Sequence, residues 1–153
     1  MVDRSNLSKH ELENGDYVAL ARFRRAVRAF LSFSESAARE CGLTPQQHQA
    51  ILAIRGFASD SEMGVGDLAE HLMIQHNSAV ELVNRLQDSE LVERSIKAAD
   101  RRRVNIRLTP KAHALLEDLS SAHLLELQRT GPELAEILGQ LRKRNKTRRQ
   151  FVR

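Results

Sequence analysis

Two short runs hold the side chains best suited to reading a polyanion. Gln75, His76, Asn77 and Ser78 are consecutive polar residues whose amide, imidazole and hydroxyl groups donate and accept hydrogen bonds. Farther along, Asp100 precedes Arg101, Arg102 and Arg103. Three adjacent guanidiniums repel one another and have little to bury, whereas a narrow, phosphate-lined groove accepts them. The first run suits base edges, which present a donor and acceptor code in the major groove. Asp100 cannot itself favour a polyanion, so its use is to orient an arginine.

The elements that must position these runs are legible around them. Apolar spacing predicts a short helix over Asp67–Met73, with Leu68 and Leu72 inward. A polar turn leads to a second helix over about Gln75–Ser89, with Ala79, Leu82, Val83 and Leu86 on one face. Leu91–Lys97 and Arg103–Thr109 alternate as strands on either side of the basic loop, and Met63-Gly64-Val65 is expected to add a short third strand. Two helices joined by a tight turn, then a ribbon with an arginine-rich tip, form the pattern of a winged helix-turn-helix.

The flanks read as helices. From Asp16, Leu20, Phe23, Val27, Phe30, Leu31, Ser34 and Ala38 recur at helical steps, and Gly42 supplies a stop. Thr44-Pro45 opens a helix over Gln46–Phe57, and Thr109-Pro110 repeats that signal. The helix after Thr109-Pro110 is expected to run over Lys111–Arg129 and to break at Gly131-Pro132. A last amphipathic helix then carries Leu134, Ile137, Leu138 and Leu141. Leu124, Leu125 and Leu127 make one end apolar nearly all round. So long a first helix is hard to bury on one chain of this size. Both features predict packing against a second copy. The expected fold class is mainly α with a small β-ribbon. A single domain over 1–153 divides into dimerisation and core helices (16–57 and 110–141), a winged helix (63–109) and a basic tail (142–153).

Composition bounds the function. The chain has 153 residues, 41% hydrophobic and 29% charged, ordinary values for a globular domain. No window of eighteen apolar residues exists, so no membrane span is expected. The polar start lacks the apolar core of a secretory signal. Cys41 is the only cysteine, so no intrachain disulfide forms and a reducing cytoplasm fits. The net charge is +4, but RKRNKTRRQFVR at the end holds seven basic residues and no acid. The rest then has 17 basic against 20 acidic residues, a net of −3. The tail reads first as a solvated end and only second as a DNA contact.

With this order of elements, the chain resembles the MarR family of transcriptional regulators over roughly Tyr17–Leu141. The resemblance is carried by Leu43-Thr44-Pro45-Gln46-Gln47, Leu82-Val83-Asn84-Arg85-Leu86, Leu91-Val92-Glu93-Arg94, Asp100-Arg101-Arg102 and Leu108-Thr109-Pro110-Lys111. It implies a homodimer with interlocked terminal helices, each subunit presenting one winged helix to a pseudo-palindromic double-stranded DNA operator. It also implies a cytoplasmic, nucleoid-associated protein of a bacterium or archaeon, commonly a repressor released by a small aromatic or acyl-thioester ligand. The expected DNA-binding residues are Gln75, His76, Asn77, Ser78, Arg85, Arg94, Asp100, Arg101, Arg102 and Arg103, with Asp100 orienting Arg102 and Arg94. The expected effector site is lined by Phe30, Phe33, His48 and His113, with Arg25 or Arg28 pairing an anionic group. Three departures stand out. Glu90 and Ala112 occupy positions where the family usually has Gly, so both turns lack glycine's freedom. Glu81 is an acid where the family is often basic or polar.

Each assignment has a plainer rival. Ser78 and Glu81 fit a capping box, and Arg85 fits a surface ion pair with Asp88 or Glu81. Phe30 and Phe33 fit the core, and His48 fits a satisfied buried polar group. Cys41 reads as an inert thiol rather than a redox sensor. His10, His48, His71, His76, His113 and His123 form no i, i+4 pair or Cys/His cluster, so no metal or other cofactor is expected. No nucleophile–base set or phosphate loop is visible, which places an enzyme well below a regulator. A winged helix used for protein–protein assembly and a cysteine-based redox-responsive regulator are the remaining alternatives.

Overall fold

The computed structural model describes residues 12–57, 62–96 and 104–150. Among them the order is α1 (Asn14–Glu40), α2 (Pro45–Phe57), β1 (Glu62–Gly64), α3 (Val65–Leu72), α4 (His76–Asp88), β2 (Val92–Ile96), β3 (Val104–Leu108) and α5 (Pro110–Gln150). The helix-turn-helix is α3–α4, and the ribbon is β2–β3. The three strands form an antiparallel sheet in the order β1-β3-β2. Met63 lies opposite Ile106, and Arg94 opposite Ile106 on its other side. The short strand expected at Met63-Gly64-Val65 is thus present one residue earlier. None of the described helices is long and apolar enough to cross a membrane.

Both Thr-Pro signals start helices. Thr44 Oγ1 accepts from the Gln47 amide at 3.2 Å, and Gln47 Oε1 accepts from the Thr44 amide at 2.9 Å. This closed capping box satisfies two donors that a helix start leaves open. Thr109 Oγ1 accepts from the Ala112 amide at 3.2 Å. Ala112 therefore lies inside the first turn of α5, fully buried, and no glycine turn is needed there.

The C-terminal stops repeat one device. In the Schellman motif, the residue after the cap turns left-handed while the next amide reaches back to the last full turn. After α1, Gly42 has φ 76° and the Leu43 amide bonds the Ala38 carbonyl at 2.9 Å. After α3, Met73 has φ 54° and Ile74 bonds Ala69 at 3.0 Å. After α4, Glu90 has φ 59° and Leu91 bonds Leu86 at 2.8 Å. Glu90 thus adopts the strained conformation where glycine is usual. An L-residue pays about 1–2 kcal/mol there. Glu90→Gly is expected to raise stability by about 1 kcal/mol, since the exposed Glu90–Lys111 pair it loses is weak. Urea denaturation reads this, and a midpoint at or below wild type counts against it.

The expected break at Gly131-Pro132 does not occur. α5 runs through Pro132 without interruption. Proline removes one intrahelical N–H, but burial continues beyond it: Ile137 is fully buried. The Thr130 hydroxyl bonds the Glu126 carbonyl at 2.8 Å just before the proline. A single missing bond is outweighed by apolar burial on the far side.

The chain forms two compact units, one of Met1–Ser32 with Leu124–Arg153 and one of Phe33–His123. In the first, Arg22 reaches Glu133 and Glu136, each at 3.8 Å, and Ala19 is buried. The second holds a continuous core including Ile51, Ile54, Leu68, Leu82, Val83, Leu86, Leu91, Ile106 and Leu119. Half-buried Cys41 packs against this core as a free thiol.

Candidate nucleic-acid interface

One face of α4 belongs to the core. Ala79, Leu82, Val83 and Leu86 are buried, following the helical spacing of the sequence. Gln75, His76, Asn77 and Ser78 are all exposed at the start. Gln75 is the N-cap, with extended backbone, and makes no side-chain capping bond. The helix therefore presents its first-turn amides and positive dipole end together with three polar side chains. Ser78 stands at the third helical position, so the capping box proposed for Ser78 and Glu81 is not formed.

Arg85 is exposed, and among the described residues it makes no ion pair with Asp88 or Glu81. Its guanidinium is available for an outside anion. Arg94 on β2 instead bonds the Asn84 side chain on α4. This contact braces α4 against the ribbon. Sequence reasoning missed Asn84 because nothing in local spacing shows which strand a helix face will meet. Asp100, Arg101, Arg102 and Arg103 lie outside the described residues. Below them, Glu93 accepts from Arg107 across the ribbon at 3.1 and 3.3 Å.

The residues expected at an effector site separate. His48 on α2 is buried, and its ring centre lies 4.9 Å from that of His123 on α5. Phe33 meets the same His123 edge-on at 5.4 Å. His113 does not join them: it is exposed in the first turn of α5. Leu116, Leu119 and His123 follow one helical face, and this was the signal that favours His123 over His113. Phe30 is half-buried on α1. Arg25 and Arg28 are on α1 and line a groove with Ala21 and Arg24.

His123 Nδ1 lies 2.6 Å from the Leu119 carbonyl, and Nε2 lies 2.8 Å from Ser34 Oγ. A carbonyl only accepts, so Nδ1 donates; in the neutral ring Nε2 then accepts from the Ser34 hydroxyl. Burial, and then the neighbouring His123, hold the His48 pKa below its ordinary 6.5. The folded state thus binds fewer protons than the unfolded state. Its contribution is complete above pH 6.5 and falls as pH drops from there toward the folded pKa. Urea midpoints measured downward from neutral pH should decline more steeply for wild type than for His48→Gln. Parallel declines would remove His48 as the cause.

The family model for the MarR family matches residues 42–103, from the end of α1 into the ribbon. Over that stretch the chain is similar to MarR-family regulators. YsmB of Bacillus subtilis, named as an uncharacterized HTH-type transcriptional regulator, is 29% identical over 77 residues. That alignment covers 50% of this chain and 51% of YsmB, so it spans about half the relative's length. Among solved structures, the fold is similar to AbsC, a MarR family transcriptional regulator from Streptomyces coelicolor. The TM-score is 0.71 at 20% identity, over 94% of this chain and 97% of AbsC. A point mutant of S. aureus MepR, bound to an oligodeoxyribonucleotide, has a TM-score of 0.62 at 22% identity over 91% of this chain and 97% of that one. BpsR of Bordetella bronchiseptica, whose DNA binding is regulated by 6-hydroxynicotinic acid, has 0.60 at 23% over 90% and 98%. At these identities the structures establish the fold of this chain as that of the winged-helix regulators it resembles.

Proposed function

We propose that this protein is a MarR-family regulator, a homodimeric, sequence-specific transcriptional repressor. Its α4 helices enter successive major grooves of a pseudo-palindromic operator. The observation that carries the reading is the uncapped, exposed start of α4, where Gln75, His76, Asn77 and Ser78 stand on a helix held from behind by four buried side chains. Exposed Arg85 adds a backbone contact, and the arginines at 101–103 would follow the adjacent minor groove. Arg94 serves mainly as a brace, through Asn84. MepR bound to an oligodeoxyribonucleotide supports DNA as the partner. The two half-sites should be centred about 10 bp apart or a small multiple of that.

Release by a small anionic aromatic completes the reading. BpsR offers a parallel in the regulation of its DNA binding by 6-hydroxynicotinic acid. The Phe33, His48 and His123 rings pack against one another and would be the aromatic group such a ligand meets. Isothermal titration with aromatic carboxylates tests it, and no heat from any member would remove the ligand from the scheme.

Gel shift on genomic fragments tests the main claim. Retention that survives excess competitor DNA supports it; none would leave a protein-binding winged helix. On a retained fragment, Asn77→Ala is expected to reduce discrimination against mutated sites by about tenfold while largely sparing nonspecific affinity.

A further inference from the structure

The recognition helix is bolted down at its other end. α4 spans His76–Asp88, so Ser89 and Glu90 lie about 20 Å from the residues proposed to read bases. The Schellman turn uses the carbonyls of Leu86 and Gln87, but those of Ser89, Glu90 and Leu91 still need donors. All three come from the start of α5. Lys111 Nζ donates to the Ser89 carbonyl at 2.8 Å, Thr109 Oγ1 to Glu90 at 2.7 Å, and the Thr109 amide to Leu91 at 3.1 Å. The Lys111 ammonium also lies 3.8 Å from the Glu90 carboxylate. From α2, Gln47 Nε2 donates to Ser89 Oγ at 3.3 Å while its Oε1 closes the Thr44 cap.

We infer that Lys111 and Gln47 are positioning residues for the recognition helix. They fix its C-terminal turn to the first turns of α5 and α2, so those helices set the aim of Gln75–Ser78. The inference rests on the proposal that α4 reads DNA. Lys111 acts through α4 rather than on phosphate, because its ammonium already donates to the Ser89 carbonyl at the helix C-terminus. A displacement of the start of α5 is thereby passed to the reading helix.

The test measures affinity of the full chain for a fragment retained in the gel shift, over a salt series, for wild type, Lys111→Met, Lys111→Arg and Ser89→Ala. Lys111→Met is expected to weaken specific binding about tenfold, the size of one charge-assisted hydrogen bond, with an unchanged salt slope. Lys111→Arg should recover most of the loss, and Ser89→Ala, which frees Gln47 without opening the Thr44 cap, should weaken binding less. In the free protein, the Glu90 and Leu91 amides of Lys111→Met should exchange several-fold faster. Wild-type affinity in Lys111→Met, or unchanged amide exchange, overturns the inference alone. Weakening with the slope reduced by about one makes Lys111 a phosphate contact and also overturns it. Wild type that retains no fragment overturns the DNA-reading function and this inference with it.

Discussion

Replacing Leu125 and Leu127 together by Glu is expected to turn the proposed dimer into a monomer and to weaken operator binding by about 10²- to 10⁴-fold. Of the twelve large apolar side chains exposed among the described residues, nine belong to the unit formed by the two terminal segments. Leu124 and Leu125 are 62% and 67% exposed, on a helix that also exposes Leu127 and Leu138. So much apolar surface on one unit is what the proposed dimer would cover. A second copy is the partner the two-half-site reading requires. Two glutamates placed there would have to give up their hydration on association. Each winged helix alone would keep its fold but lose the gain from binding two half-sites on one duplex. Sedimentation equilibrium reads the mass, and fluorescence anisotropy the affinity. A variant that stays dimeric with unchanged affinity would move the interface elsewhere; a monomeric wild type would remove the dimer from the proposal.

What the sequence disclosed depended on the range of the interaction. Helix starts were legible because Thr44-Pro45 and Thr109-Pro110 do their work within three residues. The buried face of α4 was legible because Ala79, Leu82, Val83 and Leu86 keep one period. The stops after α3 and α4 were placed within a residue, at Met73 and Ser89, but only glycine showed a left-handed turn in its residue type. Gly42 was visible, whereas Met73 and Glu90 hold left-handed turns that the surrounding core imposes. Pro132 reads locally as a break because the local rule sees one lost bond and not the burial of Ile137 beyond it. Pairings between distant segments were the least legible. His123 rather than His113 meets His48, and Arg94 meets Asn84, because only the packed helices decide which faces approach.

Leu86→Ala is expected to cost about 3 kcal/mol, a large part of the roughly 5–15 kcal/mol that holds a domain folded. Leu86 is fully buried, and its carbonyl receives the Leu91 amide that closes the turn after α4. Leu91 is itself buried, so the two leucines are the apolar clasp that accompanies a Schellman stop. Truncation removes the clasp from beneath α4 and opens a cavity that a close-packed core fills only in part. The change touches none of the residues proposed to meet DNA. Urea denaturation should therefore show a lower midpoint with a similar slope, and DNA affinity should fall in step with the folded fraction. Asn77→Ala should show the reverse, with stability kept and discrimination lost. A cost below about 1 kcal/mol for Leu86→Ala would be too small for a side chain closing the core under α4. The reading face would then owe its position to the Lys111 and Gln47 contacts rather than to burial.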